Sequence, residues 1–167
     1  MLKRYGRFAS ATGSTPVLGV GYIAAVLERE GHQVQIIDGI VESFTMREMM
    51  ERVKKFKPDV FGISTTSLTY LLVKDLAKEL KKRFPKTKII LGGPHISSMP
   101  EETMKTKLFD IGVIGEGEET IAETMRFLEK GRSLNNVKGV AYLTEKGKIK
   151  IVGAYKMLSS GTVEFFE

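Results

Sequence analysis

The chain has no cysteine. Disulfides, thiolate metal sites and cysteine-ligated iron–sulfur clusters are therefore excluded within it. Histidine is scarce as well. Only His32 and His95 occur, and no G-x-S-x-G elbow accompanies them, so the usual nucleophile and general-base sets are missing. No residue is given a catalytic or metal-ligating role on these grounds. The sequence holds no run of about 18 apolar residues, which argues against a membrane span. Met1–Arg7 is charged but no apolar h-region follows, so nothing reads as a secretory signal. A cytoplasmic protein without a membrane partner is expected.

The net charge of +6 arises largely from Lys54, Lys55, Lys57, Lys78, Lys81, Lys82, Arg83, Lys86 and Lys88. These cations gather at predicted helix ends, where they complement the helix dipole, and no aromatic residues alternate with them as a nucleic-acid surface would require. A solvated face is expected, with no nucleic-acid partner.

With 167 residues, 42% of them hydrophobic, the chain suits one domain with a real core. Its centre is Lys88–His95, KIILGGPH: an apolar run that ends in two glycines, a proline and a histidine reads as a strand buried on both faces. Asp59–Ser67 and Asp110–Gly117 repeat the design. Between them the periodicity predicts a helix over Leu18–Arg29 with Leu18, Tyr22, Ala25 and Val26 inward, stopped by Gly31. A strand follows over Gln33–Asp38, then a helix opened by the Thr45/Glu48 capping box with Met46, Met49, Met50 and Val53 in the core. A long helix from about Leu68 to Phe84 presents Leu72, Leu76 and Leu80, and Ser98 is expected to cap a short helix beginning at Pro100. A helix over Glu118–Lys130 buries Ile121, Met125 and Leu128, and Gly139–Leu143 with Lys148–Val152 forms a hairpin. The first strand is expected within Met1–Ser10, though Lys3, Arg4 and Arg7 interrupt it. Together these give an α/β fold, a doubly wound (Rossmann/flavodoxin-like) parallel sheet with helices on both faces and a C-terminal β-hairpin. Residues 1–153 would form this domain and residues 154–167 a strand-capable tail.

In such a sheet the carboxyl ends of the strands share one edge, so the loops after the three apolar strands line one crevice. Ser64, Thr65, Thr66 and Ser67 bring four consecutive hydroxyls to it. Gly92, Gly93, Gly115 and Gly117 allow close backbone approach. Glu116, Glu118 and Glu119 crowd the third loop, so a neutral ligand rich in amides and hydroxyls fits better than a phosphate. His95 stands at a strand's carboxyl end beside Pro94, where a bond to its own backbone and a ligand contact are both open.

The segments Pro16–Val34, Pro58–Thr66, Ile90–His95 and Phe109–Thr120, in this order and spacing, resemble the cobalamin-binding domain found ahead of the radical SAM domain in many enzymes. Ser64-Thr65-Thr66 stands where that family carries S-x-L, and Gly92-Gly93 matches its glycine pair. The D-x-H-x-x-G motif is absent. The resemblance implies base-off cobalamin with no protein histidine on cobalt. Its tail would be held by Ser64–Ser67 and Gly92–His95 (including Pro94), its nucleotide loop flanked by Gly115, Glu116 and Gly117, and its corrin approached by Pro16, Leu18 and Gly19. It further implies a radical SAM domain in cis or trans, with the 4Fe-4S cluster and S-adenosylmethionine in that separate or missing domain. The chain would then not be catalytic on its own. It would be the N-terminal domain, or a stand-alone relative, of a methyltransferase or related enzyme. Weak homo-oligomerisation is expected through the tail, in which Val163, Phe165 and Phe166 have no evident partner.

Two other readings share these residues. Ser10–Thr15 is similar to the flavodoxin phosphate loop, which would make the protein an FMN-binding electron carrier. The last is a ligand-free interaction domain.

Overall fold

In the computed structural model, residues 18–38, 45–144, 146–156 and 163–166 are described. The strand expected in Met1–Ser10, the loop Ser10–Thr15 and Pro16 lie outside them. The chain divides into two compact units, Met1–Pro58 and Asp59–Glu167.

The first unit contains α1 (Leu18–Arg29) and α2 (Met46–Phe56). Gly31 stops α1 at φ +94°, with its N–H on the Glu28 carbonyl and the His32 N–H on the Leu27 carbonyl. This double closure is a Schellman motif, which a glycine in left-handed conformation permits. The face predicted for burial is displaced. Leu18 is 70% and Tyr22 63% exposed, while Ala24 is buried and Ile23 and Leu27 beside it are half-buried. Periodicity among large residues does not reveal that the small Ala24 is the buried residue of this helix. Gln33–Asp38 forms no strand, because a strand needs a ladder partner and no described strand pairs with it. In α2 the capping box is present in full. The Glu48 N–H donates to Thr45 Oγ1 (3.2 Å) and the Thr45 N–H to Glu48 Oε2 (2.8 Å). Those hydrogen bonds hold the Glu48 carboxyl below its ordinary pKa. Met50 and Val53 are buried, whereas Met46 is exposed and so is not the core residue expected.

The second unit runs β1 (Val60–Ser64), α3 (Tyr70–Arg83), β2 (Lys88–Gly92), α4 (Pro94–Ser98), α5 (Pro100–Lys105), β3 (Ile111–Val113), α6 (Glu118–Glu129), a 3-10 turn (Leu134–Asn136), β4 (Val140–Leu143), β5 (Ile149–Lys156) and β6 (Val163–Phe166). Its sheet has the sequential order β1-β2-β3-β4-β5-β6. The first three strands are parallel, with Ser64 opposite Gly92 and Leu91 opposite Gly112. The last three are antiparallel, so the sheet is mixed rather than parallel throughout. The switch falls between β3 and β4, which are joined through α6, and the β4–β5 turn is then far too short for the crossover that parallel pairing needs.

Successive side chains of a strand point to opposite faces. Ile89, Ile90 and Leu91 are all at most 3% exposed, so both faces of β2 are covered, as in an open α/β sheet of the Rossmann-like kind. The buried stripe of α3 is Val73, Ala77 and Leu80, with Leu72 and Leu76 half-buried at its flank. In α6 it is Ile121, Ala122 and Thr124, and Met125 and Leu128 are only half-buried. Both helices again turn a small residue inward. Of the cations predicted at helix ends, Lys54 and Lys55 occupy the last turn of α2 and Lys81, Lys82 and Arg83 that of α3, where Arg83 pairs with Glu79 (2.5 Å), whereas Lys88 begins β2. Asp110 fixes the entry to β3, its Oδ2 accepting from Lys81 Nζ and the Ile89 N–H, both at 2.8 Å. The tail expected to lack a partner lies along β5, Phe165 opposite Ala154. No helix among the described residues is long and apolar enough to cross a membrane.

Candidate functional site at the carboxyl edge of the parallel strands

Because Ser64 and Gly92 are paired, the loops after β1 and β2 emerge at the same level. They interlock. The Thr65 N–H donates to the Gly92 carbonyl (3.1 Å) and the His95 N–H to the Thr65 carbonyl (3.2 Å). Gly93 lies between them at φ +95°, so close that a Cβ there would stand 2.7 Å from the Thr65 carbonyl oxygen and 2.9 Å from Ser64 Oγ. Only glycine satisfies both the dihedral and the contact.

The hydroxyl run splits into two kinds. Thr65 is buried, and its Oγ1 donates to the Thr66 carbonyl (3.0 Å) and meets Thr69 Oγ1 (2.9 Å). The Thr66 N–H donates to Thr69 Oγ1 (3.2 Å), which closes a small turn and delays α3 until Tyr70 rather than Leu68. Ser64, Thr66 and Ser67 are exposed, and Leu68 (88%) and Leu71 (70%) stand exposed just beyond them.

His95 is not a loop histidine. It belongs to α4, which starts at Pro94 directly after Gly93, and is only 7% exposed. Its ring stacks on Tyr70 with centroids 3.7 Å apart, and Nδ1 lies 3.0 Å from Ser67 Oγ. Burial pushes the imidazole pKa down, against the smaller raising effect of Glu102. The ring thus joins the first loop to α4.

Helix α4 itself is seated by Gly112, where a Cβ would strike the Ile96 side chain at 2.8 Å. The next residues report to the third loop. Ser97 Oγ donates to the Gly93 carbonyl (3.0 Å) and accepts from the Gly115 N–H (2.9 Å). Neither α4 nor Ser97 was expected from the sequence, since Gly-Gly-Pro reads as a turn and helix signals need a longer window. Ser98, expected as a cap, ends α4 instead with its Oγ donating to the Pro94 carbonyl, and Met99 holds the N-cap position of α5.

Gly115, with φ +76°, and Glu116 are exposed, and Gly117 is the N-cap of α6. No atom would lie within 4 Å of a Cβ at Gly92 or at Gly115, so both flank open space. The structure therefore brings together Ser64–Ser67, Gly92–His95 and Gly115 through backbone and hydroxyl bonds. Leu18 and Gly19 begin α1 in the other unit. Among the described residues no group of three or more histidine, aspartate or glutamate side chains is gathered that could hold a metal ion. A cavity of about 130 Å³ lined by Lys88, Asp110, Tyr142 and Leu143 lies at the opposite end of the strands, away from these loops.

In an open α/β sheet ligands bind outside the carboxyl ends of the parallel strands, and here that edge carries hydroxyl-bearing and glycine loops. The family model for the B12 binding domain matches residues 6–124, and the chain belongs to that family. It is 38% identical over 145 residues to an uncharacterized methyltransferase of Pyrococcus horikoshii, covering 86% of this chain and 31% of the relative. It is 30% identical over 161 residues to cytidylyl-2-hydroxyethylphosphonate methyltransferase of Streptomyces wedmorensis, covering 86% and 30%. The chain thus spans about a third of the length of these relatives. The fold is shared with the radical S-adenosylmethionine methyltransferase TsrM of Kitasatospora setae, whose structure has cobalamin and a 4Fe-4S cluster bound (TM-score 0.73, 18% identity, 90% of this chain and 28% of that one). It is shared also with the cobalamin-dependent S-adenosylmethionine radical enzyme OxsB with aqua-cobalamin bound (TM-score 0.68, 24% identity, 81% and 19%). The family match favours the first of the three readings of the sequence.

Proposed function

We propose that the chain holds cobalamin along the carboxyl edge of β1, β2 and β3, without a protein histidine on cobalt. The nucleotide tail lies against Ser64–Ser67 and Gly92–His95. Gly115, Glu116 and Gly117 flank the nucleotide loop. The observation that carries this reading is the pair of glycines at the edge. Gly93 is packed against Thr65, which leaves Gly92 and Gly115 beside open space on a ledge of exposed hydroxyls. Such a ledge suits a long, amide-rich ligand with an apolar tail, and exposed Leu68 and Leu71 extend its apolar part. That His95 does not reach cobalt is supported by its ring, which is taken up by Tyr70 and Ser67 inside the fold.

Cobalamin supplies a cobalt centre suited to group transfer. The chain's own residues bind and orient that cofactor. Having no cysteine, the chain cannot ligate the cluster of a radical SAM enzyme, so the cluster and S-adenosylmethionine belong to a separate domain, in cis or in trans, of a methyltransferase or related enzyme. Residues 1–153 are the binding domain and residues 154–167 its tail. With one corrin face uncovered, binding by the chain alone is on the order of micromolar or weaker. The test is equilibrium dialysis of the chain against hydroxocobalamin, read by the corrin absorbance bands on the protein side. An excess of corrin on that side is expected, and no excess of corrin together with an excess of FMN in the parallel dialysis would refute the reading.

A further inference from the structure

We infer that Ser97 is a positioning residue of this site, one hydroxyl that holds the second and third cofactor loops in register. The inference rests on the cobalamin reading and adds a residue to it. The ladder between β2 and β3 ends at Leu91 and Gly112, before the third loop begins. Past that point Ser97 Oγ carries the connection, giving its proton to the Gly93 carbonyl (3.0 Å) while receiving the Gly115 N–H (2.9 Å). A hydroxyl that donates and accepts at once polarises both bonds, so the two strengthen each other. Gly93 is in turn pressed on Thr65. A displacement of any of the three loops is thereby felt by the others.

The role is specific to this serine. Ser98 makes the same bond back along the helix, its Oγ donating to the Pro94 carbonyl at 2.9 Å, but it is exposed and no bond from it to the third loop is found. Threonine can make such a bond as well, as Thr103 does to the Met99 carbonyl (2.6 Å) in α5. A ligand lying across three loops gains affinity when all three are ordered before it arrives, because the ordering cost is then not charged to binding. Without the Ser97 hydroxyl, the exposed Gly115 N–H and the glycine's own backbone freedom leave the third loop to be ordered by the ligand.

The experiment uses the full chain and hydroxocobalamin, with Ser97→Ala, Ser98→Ala and Ser97→Thr compared by equilibrium dialysis and by amide hydrogen exchange. Ser97→Ala is expected to weaken binding roughly tenfold and to speed exchange at Gly115 while core amides such as Ile90 keep their protection. Ser98→Ala is expected to match the wild type, and Ser97→Thr to recover most of the loss. Equal affinity and equal Gly115 exchange in Ser97→Ala and Ser98→Ala overturn the inference while leaving the cobalamin reading intact. Failure of the wild-type chain to bind hydroxocobalamin in the dialysis overturns that reading, and the inference with it.

Discussion

Gly92 and Gly93 are adjacent, yet the structure assigns them different work, and a pair of alanine substitutions separates it. At Gly93 a Cβ would stand 2.7 Å from the Thr65 carbonyl oxygen and 3.0 Å from the Thr65 nitrogen, both backbone atoms that cannot swing aside, and φ is +95°. The dihedral alone costs a residue with a side chain about 1–3 kcal/mol. Overpacking against a fixed neighbour adds about 1–3 kcal/mol. Gly93→Ala is therefore expected to destabilise the chain by roughly 2–6 kcal/mol, and Gly93→Leu by more. At Gly92 nothing lies within 4 Å of the same added atom. Gly92→Ala is expected to leave stability within about 1 kcal/mol of the wild type and to weaken hydroxocobalamin binding by entering the space the tail occupies. Urea denaturation gives the stabilities and equilibrium dialysis the affinities. A Gly93→Ala chain as stable as the wild type would refute the interlock of the first two loops, and unchanged binding in Gly92→Ala would refute the path proposed for the tail.

Removing the ring in His95→Ala is expected to destabilise the chain by about 2–4 kcal/mol, since it empties a buried stack, while leaving the electron paramagnetic resonance spectrum of the bound Co(II) form unchanged; loss of nitrogen hyperfine coupling would show that His95 had been a ligand. The lowered pKa of His95 sets a direction in pH. The neutral ring's contribution is fully present above the ordinary histidine value of 6.5 and is lost as pH falls from there through the folded-state pKa, because the unfolded chain takes up the proton first. Urea midpoints between pH 7.5 and 5.5, values chosen to bracket that ordinary pKa, are expected to fall more steeply for the wild type than for His95→Gln, and equal slopes would refute this. Thr45→Ala, which removes one half of the α2 capping box, is expected to cost about 1 kcal/mol, read from the same titrations. Deleting residues 161–167 uncovers the edge of β5 along Gly153–Lys156, so self-association measured by sedimentation is expected to rise rather than fall; a chain less associated after deletion would show that the tail bridges two copies.

The sequence by itself determined whatever is encoded among near neighbours. The capping box needs only Thr45 and Glu48, three residues apart, and the helix stop at Gly31 needs only a residue that tolerates positive φ. The run Ile89-Ile90-Leu91 announces a strand covered on both faces, because no alternation of polar residues leaves a face for water. The hydroxyl and glycine loops were legible for the same reason, and their order along the chain carried the family resemblance that the comparisons then established.

Tertiary structure decided what depends on residues far apart. Gln33–Asp38 has a strand's composition, but composition provides no ladder partner. The inward faces of α1, α3 and α6 include Ala24, Ala77 and Ala122, small residues whose burial depends on what the rest of the chain packs around them. His95 was recognised as a candidate, but its orientation follows from Ser67, 28 residues away, and from the Tyr70 ring. Ser97 and Ser98 are indistinguishable in sequence. Only the approach of Gly115, 18 residues further on, makes the first of them a link between loops and leaves the second on the surface. Local chemistry fixes which conformations a segment can take, and the hydrogen bonds between strands' ends fix which atoms of those segments meet.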